Sequence, residues 1–266
     1  SVKSAGGGIG EVRLFHNGKL ISSDGYYREM ARSSSERQQL AAMDGRAIYE
    51  DMRSVSVKGA AVSTPLTVRA KGDVFADCRE IEAVAGDNEV SLAAFNGSNT
   101  IQSSVKTVRF RSNIAPGEPH LYILSIGVDQ YRDGTVNLKF AAKDSRDLEE
   151  RLGAQSATLY KPGNIHHTLL TDREATKGNI LAKIDELSGR IKPQDSFVLF
   201  AAGHGVLLQN QYYLLTHDYS GMADEVSMIS SNEIVEVSKK IKSLSQLFIF
   251  DTCHAGGVDT IVSGLY

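Results

Sequence analysis

The sequence predicts two folds in one chain: an all-β sandwich over residues 1–112 and, past a linker at 113–119, an α/β domain over 120–266 with a mainly parallel sheet flanked by helices. Three observations predict it. Short alternating strands with Gly, Asn, Asp or Ser at their ends run up to residue 112. The stretch "NIAPGEPH" then holds two of the five prolines, the composition of a domain linker. Beyond it, unbroken apolar strands alternate with amphipathic helices, the pattern of a parallel sheet covered on both faces.

Taken in order, "EVRLFHNGKLI" reads as two strands around an Asn17-Gly18 turn, the strongest short-range hairpin signal. "SVSVKGA", "LTVRAKG", "NEVSLAAFNG" and "SVKTVRFRS" follow as further strands. Residues 28–53 are Arg-rich and only weakly periodic, and read as a helical excursion or an insert. Cys78 reads as a strand-region residue.

In the second part "LYILSIGV" is a buried strand, and "AAKDSRDLEERL" a helix with Phe140, Leu148 and Leu152 available for burial. A short "HTLL" strand precedes a helix from about Thr176, where Ile180, Ile184, Leu187 and Ile191 make one buried stripe. "SFVLFAA", "YYLLT" and "QLFIFD" are strands, and "SSNEIVEVSKKIKSL" is a helix opened by a Ser230/Glu233 capping box.

Composition excludes several classes of function. The formal net charge is −3, and neither part has the basic surplus that binding a phosphate backbone needs. No apolar run reaches the roughly 20 residues of a membrane-spanning helix. Nucleic acid and membrane are therefore not the expected partners. Two cysteines far apart, Cys78 and Cys253, do not suggest a disulfide framework. The chain opens "SVKSAGGGIG", without Met or a signal-peptide pattern, which suggests a piece of something longer and leaves the compartment unreadable.

Chemistry concentrates where two strands end. "SFVLFAAGHG" delivers His204 and "QLFIFDTCHAGG" delivers Cys253. In open α/β sheets functional groups gather beyond the carboxyl ends of strands, so neighbouring strands would put thiol and imidazole on one rim. An imidazole can take the thiol proton and leave the nucleophilic thiolate. Gly203 and Gly205 would allow close backbone approach to a substrate carbonyl, and the amides of Gly205 and Cys253 could form an oxyanion hole. A carboxylate beside the nucleophile, such as Asp251, favours a cationic side chain.

Other readings compete. Cys253 could be a buried structural thiol. His254 reads as a packing residue, since successive residues at a strand end point to opposite sides. A zinc site of His204, Cys253 and His254 lacks supporting ligand spacing, so no metal is assigned. His166, His167 and His217 read as surface or loop residues. Asp172, Asp218, Asp224 and Glu225 are candidates for calcium, but without EF-hand spacing they read better as a solvated acidic face.

His204 precedes Cys253 by about 50 residues, and residues 120–258 resemble the large-subunit part of a caspase-like cysteine peptidase, closest to bacterial metacaspase-type homologues. The resemblance rests on "LYILSIGVDQYRD", "LKFAAKDSRDLEERL", "LLTDREATKGNILAKIDEL", "FVLFAAGHG", "YYLLTHD" and "FIFDTCHAGG", in that order. It implies Cys253 as nucleophile and His204 as acid/base, with a third member that is often a backbone carbonyl or absent. It implies Asp251 and Asp144 as an acidic pocket for Arg or Lys of a protein or peptide substrate. No organic cofactor is implied, although many metacaspases require calcium. "GGGIGEVRLFHNGKLI" and "GDNEVSLAAFN" resemble the immunoglobulin-like module that precedes such domains in some bacterial proteins. The family fold continues into a small-subunit portion, whereas this sequence ends soon after Cys253, at Tyr266. A separate chain, or the remainder of the same protein, is the expected partner. A catalytically idle caspase-like interaction module is the alternative reading, and a metal-binding regulatory domain a more distant one.

Overall fold

The structure, a computed structural model, describes residues 1–23, 72–99, 101–208, 211–222, 224, 226–253 and 255. Two compact units divide between Gly117 and Glu118.

The first unit is antiparallel β. Its strands are β1 (Val2–Lys3), β2 (Ile9–His16), β3 (Lys19–Ser23), β4 (Val74–Phe75), β5 (Gly86–Asn96) and β6 (Lys106–Ser112). Four of them form one sheet in the order β3-β2-β5-β6, and β1 pairs with β4. The β2–β3 turn has positive φ at both Asn17 (49°) and Gly18 (83°), the requirement of the type I′ turn whose twist matches that of the strands it joins. Ile9, Val12 and Ala94 are buried together, with Val2, Phe75 and Leu92 packed against them. "SVSVKGA", nearly all of "LTVRAKG" and the Arg-rich residues 28–53 lie outside the described residues. Cys78 is not in a strand. It is exposed in an irregular stretch between β4 and β5, where its N–H donates to the Asp77 carboxylate at 2.9 Å, a local bond that competes with ladder pairing.

The second unit is built on β7 (Leu121–Gly127), β8 (Ile165–Thr171), β9 (Ser196–Gly203) and β13 (Ser245–Thr252). They form one sheet in the order β13-β9-β7-β8, and every pairing is parallel. Among the described residues three helices flank it: α1 (Ala141–Ser156), α2 (Lys177–Arg190) and α3 (Ser231–Lys240). The inner strand β7 is buried along its whole length, as a strand covered on both faces must be. Between β9 and α3 a small antiparallel sheet runs β10 (Gly205–Leu208), β11 (Gln211–Leu215), β12 (Met228–Ser230).

Helix signals in the sequence act locally as they should. The Thr176 side chain accepts from the Asn179 N–H to cap α2, and the Ser230/Glu233 capping box opens α3, each satisfying amides that have no intrahelical partner. Ile180, Ile184, Leu187 and Ile191 are all buried in the largest core cluster, against Leu124, Ile126 and Leu199. Phe140 departs from expectation. It occupies the N-cap of α1, one residue outside the helix, and is 66% exposed, while Leu148 and Leu152 pack inward. β8 is also longer than "HTLL", because parallel pairing with β7 recruits Ile165, His166 and Thr171 as well.

Candidate active site

Strand β9 carries six consecutive buried residues, Phe197 to Ala202, to the rim of the sheet. β13 lies beside it in parallel register, with Gly203 opposite Thr252. His204 and Cys253 are each the next residue past that last rung. The arrangement puts imidazole and thiol on neighbouring strand ends at one edge. Cys253 is exposed, so the buried structural thiol is not what the structure contains.

The His204 carbonyl accepts the Leu215 N–H of β11 at 2.9 Å, and two further bonds fix His204 from the loop between β7 and α1. Its backbone N–H donates to the hydroxyl oxygen of Tyr131 at 2.9 Å, and Nε2 lies 2.8 Å from the Val136 carbonyl oxygen. A carbonyl can only accept, so Nε2 carries the proton and the lone pair of the neutral ring sits on Nδ1. Burial holds the pKa of His204 below the usual imidazole value, partly offset by the Val136 hydrogen bond. The neutral, proton-accepting ring is thereby favoured.

The glycines flanking His204 are required by close contacts within the protein. A Cβ on Gly205 would lie 2.4 Å from the Cys253 carbonyl oxygen and 2.8 Å from Thr252 Oγ1. One on Gly203 would lie 3.0 Å from Tyr131 Oη. Thr252 faces away from the thiol: its Oγ1 is 2.7 Å from the Tyr212 hydroxyl. Tyr212 is buried, and burial raises its pKa, with the neighbouring Cys253 adding to the rise.

Alternation along β13 locates Asp251. Phe248 and Phe250 pack into the cluster that contains the α2 and α3 residues, whereas Ile249 packs with Ala141 and Leu148 of α1. Asp251 has the parity of Ile249 and so belongs to the α1 face, where it is exposed. Asp144 lies in the first turn of α1 and is half-buried. That turn starts at the same rim, since a Cβ on Gly127, the last residue of β7, would fall 2.5 Å from the Ala141 carbonyl. Both carboxylates therefore belong to the α1 side of the sheet, toward the strand-end rim. Neither has an ion-pair or hydrogen-bond partner for its side chain among the described residues.

The remaining candidates are dispersed. His254 and Glu225 lie outside the described residues. Asp172 Oδ1 accepts the N–H groups of Asp129 and Gln130, both at 2.8 Å. Asp224 Oδ1 accepts those of Val226 and Ser227, and Asp218 accepts from the Thr216 hydroxyl and the Lys177 N–H. Asp172 thus secures the loop after β7, Asp218 the start of α2 and Asp224 its own turn. Among the described residues no group of three His, Cys, Asp or Glu is placed to hold a metal ion. His166 and His167 are strand residues of β8. His166 stacks on Tyr122 with centroids 4.4 Å apart, and His167 pairs with Glu149. His217 Nδ1 donates to the Gln130 carbonyl at 2.5 Å.

Sequence reasoning did not find Tyr131, the Val136 carbonyl, Tyr212 or Thr252. The contribution of Val136 comes from its backbone, so no residue type announces it. Tyr131 sits in a loop without periodicity, where nothing tells a buried phenol from an exposed one.

The second unit is thus a parallel α/β sheet with a cysteine and a histidine at adjacent strand ends, and comparison with known proteins gives the family. The caspase domain, peptidase family C14, matches residues 122–263. The match covers more than half of the chain, which therefore belongs to the caspase-domain family, a family of cysteine peptidases. The chain is also similar to the crystal structure of protein GSU0716 from Geobacter sulfurreducens, with 18% identity and a TM-score of 0.41 over 55% of each chain. It spans about half the length of that relative. No curated protein matches it.

Proposed function

We propose that this chain is a cysteine endopeptidase of the metacaspase type that cleaves after Arg or Lys, working through a Cys253–His204 dyad. One observation carries the reading: Cys253 and His204 follow paired residues on adjacent parallel strands, with His204 Nε2 already committed to a carbonyl. Nδ1 is left as the base. It takes the thiol proton, and the thiolate attacks the scissile carbonyl carbon. The carbonyl electron pair moves to oxygen, where the N–H groups of Gly205 and Cys253 stabilise the oxyanion. Collapse breaks the C–N bond while the imidazolium protonates the departing amine. Water, deprotonated by His204, then attacks the thioester, which releases the acid and restores the thiol. Every proton passes through one imidazole, so no cofactor enters the chemistry.

The specificity half of the proposal is supported by Asp251 and Asp144. A cationic side chain entering beside Cys253 sheds water, and a carboxylate within hydrogen-bond reach offsets that loss. Unpaired carboxylates on the α1 face are suited to the role. The partner half is supported by β13, an outer strand of the described sheet with Leu247 half exposed. Its outer edge would accept a strand from a small-subunit portion of this or another chain. The antiparallel first unit is consistent with an immunoglobulin-like module.

Turnover of a peptide with Arg at the cleavage position tests the dyad, comparing the wild-type protein with Cys253→Ala and His204→Gln. Both variants should lose activity and keep the fold, because Cys253→Ala truncates a small exposed side chain and leaves little cavity, and His204→Gln replaces the ring with a polar side chain that can still donate to the Val136 carbonyl. Residual peptidase activity in Cys253→Ala would refute the assignment. A wild-type protein that turns over no peptide would favour the interaction module.

A further inference from the structure

We propose that Tyr131 and Asp172 are positioning residues that set the backbone and the tautomer of His204, an inference that rests on the reading of His204 as the base. The partners of the His204 N–H and of its ring both lie in one loop, Val128 to Leu138, while β11 holds its carbonyl, so what holds that loop bears directly on the imidazole. Tyr131 is buried and gives its oxygen to the His204 N–H at 2.9 Å, and its ring lies 5.3 Å from the imidazole, centroid to centroid. Five residues on, Val136 gives its carbonyl to Nε2. The two contacts bracket His204 from main chain to ring tip.

Backbone bonds to Ala202, His217 and Tyr219 pin the loop, and so do side-chain acceptors. The Asn137 side chain accepts the Tyr131 N–H at 2.8 Å. Asp133 accepts the Thr135 N–H at 3.0 Å and caps the short 3-10 turn that ends in Val136. Asp172, immediately past β8, accepts two consecutive loop amides through one oxygen. Asp172 does so from φ +48°, a left-handed conformation that costs an L-residue on the order of 1–2 kcal/mol and that Asp and Asn tolerate best. Backbone strain that the surroundings hold in place collects at functional sites. The functional consequence here runs through the loop after β7: Asp172 fixes Asp129 and Gln130, they lead directly into Tyr131, and Tyr131 holds His204. Asp172 itself touches neither the thiol nor the imidazole.

A role confined to stability and a positioning role make different demands on His204. Positioning requires that loosening the loop release Nε2 from Val136, so that the neutral ring samples both tautomers. The test is nitrogen-proton correlation spectroscopy on protein labelled at histidine nitrogens, above the lowered pKa of His204, with kcat and KM for an Arg peptide measured alongside. Wild type should show a single Nε2–H tautomer for His204. Asp172→Asn keeps an accepting oxygen and tolerates the left-handed backbone, so it should retain tautomer and kcat. Asp172→Gly removes the acceptor but relaxes the backbone, and Tyr131→Phe removes only the phenol oxygen. Both should show tautomer exchange, with kcat falling about tenfold or more, on the scale of a misplaced acid/base, and KM within about twofold.

A single Nε2–H tautomer and unchanged kcat in Tyr131→Phe or Asp172→Gly would overturn the proposal. If Asp172→Gly fails to fold, Tyr131→Phe carries the decision. A wild-type protein without peptidase activity would defeat the catalytic reading, and the tautomer signal would still decide the positioning one.

Discussion

Gly205 is the residue whose identity the site constrains most. Its missing side chain is what lets β10 begin against the Cys253 carbonyl, 2.4 Å from where a Cβ would stand. That oxygen is backbone and cannot swing away, so Gly205→Ala must displace either the strand end carrying the thiol or the one carrying His204. A displacement of roughly 1 Å costs on the order of 100-fold in rate. Turnover of an Arg peptide should fall by about that factor with circular dichroism unchanged, and full turnover in the variant would contradict the contact. A second prediction concerns His204 and acid. Burial depresses its folded pKa below the ordinary 6.5, so its neutral state contributes stability above that ordinary value, and the contribution is lost as pH falls through the lowered one. The melting temperature of wild type should therefore drop more steeply on acidification than that of His204→Gln, and parallel curves would rule the linkage out. The sequence made Cys253 and His204 legible because their chemistry depends on residue type and both stand at the ends of apolar runs. It left the Val136 carbonyl and the Tyr131 hydroxyl hidden, because such partners are chosen by the path of a loop.

The helices and strands were legible wherever one physical period dominated. Helix α2 is the clearest instance, with a threonine cap, an isoleucine-leucine stripe and four stripe residues at 1–2% exposure. Ile184 sits in the largest core cluster. Ile184→Ala should cost about 2–5 kcal/mol, lost transfer energy plus the cavity left behind, measured as a shift in denaturation midpoint at unchanged slope. A cost under about 1 kcal/mol would mean that the site collapses around the deletion. Phe140 shows where periodicity misleads: it continues the apolar spacing of α1 but stands at the N-cap, outside the helical stripe, and remains exposed. β8 shows the other failure, since its two adjacent histidines break the apolar run while parallel pairing with β7 extends the strand through them.

For the whole molecule, the order β13-β9-β7-β8 sets where chemistry can occur. The chain passes from β7 outward to β8, then returns across β7 to β9, and the reversal opens a crevice at the carboxyl ends of β7 and β9. The loop after β7 supplies Tyr131 and Val136, and β9 ends at His204. β13 adds the thiol from the next strand, and α1 brings Asp144 to the face that Asp251 shares. The acidic pocket we propose would thus follow from topology acting on two carboxylates far apart in sequence. Hydrolysis of a peptide library carrying every residue at the cleavage position, by wild type and by Asp251→Ala, tests the central claim most directly. Wild type should cleave after Arg and Lys and negligibly after Asp, and Asp251→Ala should lose about 2–5 kcal/mol of transition-state stabilisation for Arg substrates. A wild-type profile dominated by Asp or by large apolar residues would contradict it.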